Sequence, residues 1–198
     1  MNDVPGATVR GLTVRGAARR AALLDAAVSV VASAGSGSLT HRAVAATARV
    51  SLASVTYHFS SIEDLRRSLF EHALQIIDDQ LTATAATGRP DELPRLMADY
   101  VVALVTRRGE AAAAVQELIV AAIRDPALRS TYHDHHRRVA ELLTPCVGEH
   151  TVGLAVAAAI QGLIVTALTY PRGDTGELHA AIVELINRVS AGHLTSTS

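Results

Sequence analysis

Residues 39–59 read LTHRAVAATARVSLASVTYHF, and this stretch decides how the rest of the chain is interpreted. Thr40 and Ser51 are residue types that favour helix N-caps, and a short run of helix-compatible residues follows each of them. The pattern predicts helices over 41–48 and 51–58, joined by a tight turn. Such a helix-turn-helix places its second helix in the major groove of DNA.

The side chains of this segment favour contact with DNA. Serine hydroxyls and small apolar groups suit base edges, whereas hydroxyl, imidazole and guanidinium groups suit phosphate oxygens. The predicted DNA-contacting residues are Thr40, His41, Arg42, Ser51, Leu52, Ala53, Ser54, Tyr57 and His58. We expect the closing run Tyr57-His58-Phe59 to face solvent. Serine, threonine and tyrosine at helix ends often act only as caps, so the pattern alone leaves both interpretations open.

The composition predicts an all-α fold. Hydrophobic residues make up 49% of the chain but aromatic residues only 3%, so the apolar content is mostly Ala, Leu and Val. Ala and Leu favour helices, whereas a β-sandwich would need more aromatic residues at regular short spacing. About nine helices are expected, over 17–34, 41–48, 51–58, 62–87, 92–107, 110–124, 127–143, 151–170 and 177–193, with a loop at 145–150.

Turn-forming residues divide the chain into segments, and Gly88-Arg89-Pro90 is the best candidate boundary between two modules. The predicted organisation is a disordered arm over 1–15, a three-helix DNA-binding head over 16–61, a connecting helix over 62–87, a ligand-binding and dimerisation domain over 88–194, and a tail over 195–198.

The charge is distributed unevenly along the chain. Residues 1–60 hold six arginines and two acids, which gives +4, and residues 61–198 hold twelve arginines and seventeen acids, which gives −5, for a net charge of −1. No acidic residue lies between Asp25 and Glu63. A basic first third favours a polyanionic partner, for which nucleic acid is the common example.

Residues 17–75 resemble the DNA-binding region of the TetR family of repressors. The matching features are Gly35 near the end of a long first helix, the capping Thr40, the run Val55-Thr56-Tyr57-His58-Phe59, and Ser61-Ile62-Glu63-Asp64-Leu65 opening the fourth helix. Ile62 stands where the family usually has a lysine that helps to hold phosphate, and Ser54-Val55-Thr56 replaces the commoner Thr-Leu-Tyr. The resemblance implies a regulator, expected to be a repressor, that a small-molecule effector releases from its operator.

The resemblance also implies a homodimer, in which the last two long helices pair with those of a second subunit and two recognition helices meet a near-palindromic double-stranded operator. The predicted interface residues are Leu154, Ala158, Gly162, Val165, Leu178, Ile182, Leu185 and Ile186, although the same apolar faces could complete the core of a monomer.

Polar side chains among apolar neighbours are the candidates for the effector pocket, which the resemblance places within about residues 92–170. These candidates are Tyr100, Gln116, Tyr132, His136 and Gln161. A buried amide needs a hydrogen-bond partner, and Gln161 could find one across the dimer interface instead of in a ligand.

Catalytic and metal sites receive little support from the sequence. It contains no Gly-rich phosphate loop, nucleophile elbow or His-Glu-x-x-His motif, so neither an enzyme nor a cofactor is predicted. The run His133-Asp134-His135-His136 could suggest a metal, but Arg137-Arg138 follow directly and favour a solvated polar face, so no metal is predicted. A helical enzyme using residues 132–136 and a ligand-binding dimer without DNA function are the alternatives.

A cytoplasmic location is expected. The single Cys146 excludes an intrachain disulfide and fits a reducing compartment, and the polar start of the chain does not resemble a signal peptide. The nearly uncharged segment 152–170 is about long enough to span a bilayer. Its Ala and Gly content, interrupted by Gln161, favours a helix buried among other helices, so no membrane partner is predicted.

Overall fold

The computed structural model describes residues 6–89, 91–170 and 174–196, and within these ranges the chain forms helices and no strand. The elements are α1 (Gly6–Ala34), a 3-10 turn (Ser36–Ser38), α2 (His41–Thr47), α3 (Leu52–His58), α4 (Ile62–Thr87), α5 (Leu93–Arg107), α6 (Gly109–Ala122), α7 (Pro126–Val147), α8 (His150–Thr169) and α9 (Thr175–Ser196). The predicted all-α fold is confirmed over these residues. The chain divides into two compact units, 1–72 and 73–198, and the division falls inside α4.

The helices of the first unit pack around one apolar core. Helix α1 packs against α2, and α2 packs against α3. The side chains with no exposed surface include Leu23, Val44, Val55, Phe59 and Leu65. The guanidinium carbon of Arg20 lies 5.1 Å from the centroid of the Phe59 ring. Phe59 is therefore a core residue, which corrects the expectation that the whole run Tyr57-His58-Phe59 faces solvent.

Helix α1 starts earlier than the sequence pattern indicated. It begins at Gly6, so residues 6–15 are helical, which corrects the prediction of a disordered arm there; residues 1–5 lie outside the described residues. No proline lies between Pro5 and Pro90, and a glycine inside a helix costs only about 1 kcal/mol relative to alanine. Helix α9 likewise includes residues 195 and 196 of the predicted tail, while 197–198 lie outside the described residues.

Helix α7 continues through Pro145 to Val147, which corrects the prediction of a loop at 145–150. A proline removes one backbone donor, and here the loss falls in the last turn of the helix. Leu143 and Val147 are both buried and lie one turn apart, so extending the helix past Pro145 continues its buried stripe. The helix ends at Gly148, whose φ of 84° is the left-handed conformation that favours glycine and whose N–H donates to the Thr144 carbonyl.

The second unit packs α5 against α9 and α7 against α8 around a second core. A Cβ atom on Gly153 would lie 2.7 Å from the carbonyl oxygen of Ala140, so the close approach of α8 to α7 requires glycine. Ile182 and Ile186 of α9 are fully buried within this core. The prediction that these two residues form the dimer interface is therefore corrected, because α5 and its neighbours already cover that side of α9.

Candidate functional site

Two local hydrogen bonds build the helix pair of the first unit. Thr40 Oγ1 accepts from the N–H of Ala43 at 3.0 Å, and Ser51 Oγ accepts from the N–H of Ser54 at 3.2 Å. Each hydroxyl accepts with its oxygen, so its own proton is free for another acceptor. Thr40 and Ser51 are both exposed, and the capping role predicted for them does not prevent contact with a phosphate.

The turn between α2 and α3 holds Arg49 at φ 53°, a left-handed conformation that side chains other than glycine seldom adopt. The N–H of Val50 donates to the Ala45 carbonyl at 3.0 Å and closes the turn. The Arg49 side chain is exposed, so this turn carries a positive charge on its outer surface. The sequence pattern marked the turn but not this strained arginine, because the left-handed conformation is visible only in the backbone.

Helix α3 has one buried and one exposed side. Val55 has no exposed surface, whereas Tyr57 is 86% exposed and Leu52 is 42% exposed. Ala53 is exposed as well, and Ser54 is half-buried. The exposed side therefore presents a hydroxyl, small apolar groups and a phenol, which are groups that can contact base edges and phosphates.

The two histidines of this region have different surroundings. His41 Nε2 lies 3.0 Å from the Phe59 carbonyl oxygen, which can only accept, so Nε2 must carry the proton. This bond joins the start of α2 to the end of α3, which gives His41 a positioning role. His58 is half-buried, with its ring edge-on to Tyr57 at 5.2 Å between centroids. Arg42 is exposed beside His41.

The start of α4 carries a carboxylate close to Ile62. Ser61 Oγ caps the helix by accepting from the N–H of Asp64 at 3.1 Å. The backbone N–H of Ser60 donates to Asp64 and lowers the pKa of that carboxyl, to which the nearby Arg67 also contributes. Asp64 is therefore a negatively charged carboxylate at neutral pH. Position 62 is isoleucine, so it supplies no positive charge to a phosphate.

The second unit encloses a cavity of about 60 Å³. All five pocket candidates line it, although they come from different helices: Tyr100, Gln116, Tyr132, His136 and Gln161. The amide of Gln161 donates to the carbonyl oxygen of Gln116, so Gln161 has its partner within the protomer. The pattern missed Ile77 and Leu81, which α4 contributes to the wall, because a connecting helix gives no sign of what packs beside it.

Burial controls the ionisation of the polar groups in this cavity. It raises the pKa of Tyr100 to about 12, an effect that Arg108 opposes and Asp78 reinforces, and it also raises the pKa of Tyr132. Burial lowers the pKa of His136, and the neighbouring His135 lowers it further. The cavity therefore presents uncharged phenols and a neutral imidazole near neutral pH. The buried Tyr100 hydroxyl has no hydrogen-bond partner among the described residues.

Asp78, His135 and Arg138 form a network beside the cavity. His135 Nδ1 lies 2.5 Å from Asp78 Oδ1, and Arg138 donates through Nε to Asp78 Oδ2 at 2.8 Å. Asp78 and His135 are buried, so the network ties α4 to α7 through a hydrogen bond shielded from water. His133 is exposed. Over the described ranges, no group of three or more His, Cys, Asp or Glu side chains is placed to hold a metal ion.

Helix α8 presents an apolar outer face. It contains no Asp, Glu, Lys or Arg, and Ala158, Gly162 and Val165 are exposed. Leu154, like Leu178 and Leu185 of α9, is half-buried. Within the described part of the chain, α8 is the one helix long and apolar enough to cross a membrane by length and composition alone, a test that helices of soluble proteins also pass.

Comparison with known proteins covers both units. The family model described as bacterial regulatory proteins of the tetR family matches residues 23–69, and the model described as a tetracyclin repressor-like C-terminal domain matches residues 88–192. No curated protein sequence gives a significant match.

Solved structures match over most of their length. SCO7518 from Streptomyces coelicolor A3(2) is 29% identical, with a TM-score of 0.71 over 87% of this chain and 98% of that one. SCO1917 from Streptomyces coelicolor A3, a TetR family member, is 28% identical, with a TM-score of 0.70 over 84% and 97%. The multidrug binding protein EbrR complexed with ethidium is 29% identical, with a TM-score of 0.69 over 84% and 97%.

Proposed function

The chain belongs to the TetR family of transcriptional regulators, and from this premise we propose that it is a dimeric repressor that a small molecule releases from its operator. The chain is a sequence-specific DNA-binding regulator with α3 as its recognition helix. The observation that carries the proposal is the exposed side of α3, where Leu52, Ala53 and Tyr57 project into solvent while Val55 anchors the helix in the core. Because a bacterial regulator must reach promoter DNA, the proposal includes a cytoplasmic location.

The contacts with DNA divide by chemistry. Ser51, Leu52, Ala53 and Ser54, at the start of α3, are the base-contacting residues, because in helix-turn-helix proteins this end of the recognition helix reaches the base edges. Thr40, Arg42, Tyr57 and His58 hold phosphates on either side, and His41 positions the start of α2 through its bond to the Phe59 carbonyl. Arg42 is the one arginine among these residues, and position 62 has no lysine.

Dimerisation follows from the outer face of α8. Only 28% of the most apolar 18-residue stretch of this helix is buried within the protomer, and the mean hydropathy of that stretch is 2.0. An uncharged face of small residues lets two helices approach closely, so a second copy covers Ala158, Gly162 and Val165 in a two-fold interface. Replacing Gly162 with leucine should shift the dimer towards monomer in light scattering. A dimer of unchanged stability would exclude this face.

The effector is proposed to bind in the cavity of the second unit. The polar groups that line it come from four helices, as is usual for pockets built inside helical domains. The similar protein EbrR holds ethidium, a lipophilic cation. Such a ligand suits this chain less well. The described residues that line the cavity include no Asp or Glu, and the nearby Asp78 is already bound by His135 and Arg138.

The DNA-binding proposal can be tested without knowing the operator. The full-length protein first selects its preferred sites from a pool of random duplexes, and titration then measures the affinity of variants for the selected site. Ser54→Ala should weaken binding about 5- to 100-fold, the usual value of a base contact, and Tyr57→Ala should weaken it about fivefold at every sequence. Ser29→Ala is the matched control, since Ser29 is exposed on α1 and its hydroxyl bonds only to its own helix.

The salt dependence of binding supplies a second measurement. Phosphate contacts release counterions, so the logarithm of the affinity should fall linearly with the logarithm of the salt concentration. Arg42→Gln should reduce this slope by about one unit. Wild-type affinity in both α3 variants, together with no sequence preference in the selection, would reject the regulator proposal.

A further inference from the structure

A second cavity lies directly beside the first one. It is a cleft of about 400 Å³ between α4 and α5, and its lining includes Gln80, Thr84, Tyr100, Leu104, Arg107 and Arg108. Tyr100 and Leu104 line both this α4–α5 cleft and the first cavity of about 60 Å³, which we call the closed cavity. These two side chains, one turn apart on α5, are therefore the partition between the two spaces.

The α4–α5 cleft is positively charged. Among the described residues that line it, Arg107 and Arg108 are the ionisable ones apart from Tyr100, and none is Asp or Glu. Both arginines are exposed, and among the described residues neither forms an ion pair. Other arginines of this unit do so: Arg95 faces Asp99, Arg138 holds Asp78, and Arg188 holds Glu184. In a unit with an excess of acids, two cations at one cleft that have no ion-pair partner among the described residues favour an anionic ligand.

The closed cavity, in contrast, has a mostly aliphatic lining, with no Arg, Asp or Glu among the described residues that form it. Its walls are largely Ile, Leu and Val, and its polar groups are phenols, amides and the imidazoles of His135 and His136. The Tyr100 hydroxyl lies at the partition and has no hydrogen-bond partner in the described part of the chain. An unpartnered buried hydroxyl costs free energy, which a ligand acceptor at this point would recover.

We propose that the effector is an amphipathic organic carboxylate whose acid group binds Arg107 and Arg108 in the α4–α5 cleft and whose apolar chain passes Tyr100 and Leu104 into the closed cavity. This inference rests on the proposed function, since it names the ligand class of the same site. A guanidinium binds a carboxylate through charge-assisted hydrogen bonds, and the aliphatic walls accept the chain. A lipophilic cation would meet two positive charges and no carboxylate.

The test uses the full-length protein with three matched series of ligands: hexanoate, octanoate and decanoate, their primary amides, and the corresponding primary amines. Each ligand is titrated while thermal unfolding is followed, because a ligand that binds only the folded state raises the Tm. The carboxylate should bind at least about tenfold more tightly than the amide of equal length, since a hydrogen bond to a charged group contributes about that much. The amine should bind most weakly.

Two variants locate the acid group. The double variant R107Q/R108Q should lose the preference for carboxylate over amide while still binding the amide. The variant R95Q is the matched control, because Arg95 is exposed on the same helix but does not line the cleft. It should keep the preference.

The proposal is overturned if carboxylate and amide bind equally, if the amine binds more tightly, if none of the ligands binds, or if R107Q/R108Q retains the preference. Each protein is also titrated with the selected operator DNA. If the wild type and R107Q/R108Q both bind the operator but one of these four ligand results is found, only the proposal of an anionic effector is rejected. Absence of operator binding by the wild type would instead reject the proposed function.

Discussion

Replacing Gly153 with alanine tests the packing of α8 on α7, on which the cavity depends. The added Cβ atom would lie 2.7 Å from the carbonyl oxygen of Ala140 and 3.4 Å from Thr144 Oγ1. The closer neighbour is backbone and cannot rotate away, so the two helices must separate by several tenths of an ångström. Overpacking of this kind costs about 2–3 kcal/mol, and the gain in helix propensity from glycine to alanine offsets about 1 kcal/mol.

The net expectation is a loss of about 1–2 kcal/mol, which for a chain of this size lowers the Tm by roughly 2–8 °C. Thermal unfolding followed by far-UV circular dichroism measures this change. Gly109→Ala is the control, because a Cβ atom there has no neighbour within 4 Å and the residue lies in the same unit. If Gly153→Ala proved as stable as Gly109→Ala, the close approach of α7 and α8 would not exist.

Three further substitutions probe strain, ionisation and the buried network. Arg49→Gly should stabilise the first unit by about 0.5–1 kcal/mol in urea denaturation because glycine accepts the left-handed φ of 53°, whereas Arg49→Ala should bring no gain. Burial lowers the pKa of His136 in the folded protein, so as the pH falls this imidazole is protonated first in the unfolded chain. The wild type should therefore lose stability between about pH 7 and pH 5. His136→Asn should lose less over the same range when the Tm is measured. Asp78→Asn should cost about 2–4 kcal/mol, somewhat less than a fully buried pair because the Arg138 side chain is 47% exposed, while the exposed Asp134→Asn should change stability by about 0.5 kcal/mol or less.

Features fixed by local hydrogen-bond chemistry were predictable from the sequence. Thr40, Ser51 and Ser61 were expected at helix starts, and each accepts a bond from a backbone N–H three residues later. A cap and its donor are close in sequence, so no knowledge of packing is needed to find them. That these polar residues line a cavity was predictable for a related reason, since a polar residue such as Gln161 within an apolar run needs a polar partner inside the protein.

Features fixed by packing between distant elements were not predictable. The periodicity of α9 identified Ile182 and Ile186 as an apolar face but could not say whether a second subunit or α5 covers it. Likewise, Pro145 marks a helix end in most contexts, and only the burial of Val147 explains why α7 continues. The network of Asp78 with His135 joins residues far apart in sequence, so neither signals the other.

The size of the closed cavity constrains how an effector can act. At about 60 Å³ it has room for roughly two water molecules, whereas pockets for drug-sized ligands usually measure about 300 Å³ or more. Ligand binding in the proposed site therefore requires an expanded conformation, and the ligand shifts the population towards it only by the difference in its affinity for the two states. Ile77 and Leu81 in the cavity wall belong to α4, the helix that begins at Ile62 just after the recognition helix. We therefore propose that the effector weakens operator binding by expanding the cavity and displacing α4. The coupling is reciprocal, so operator DNA should weaken effector binding by the same factor.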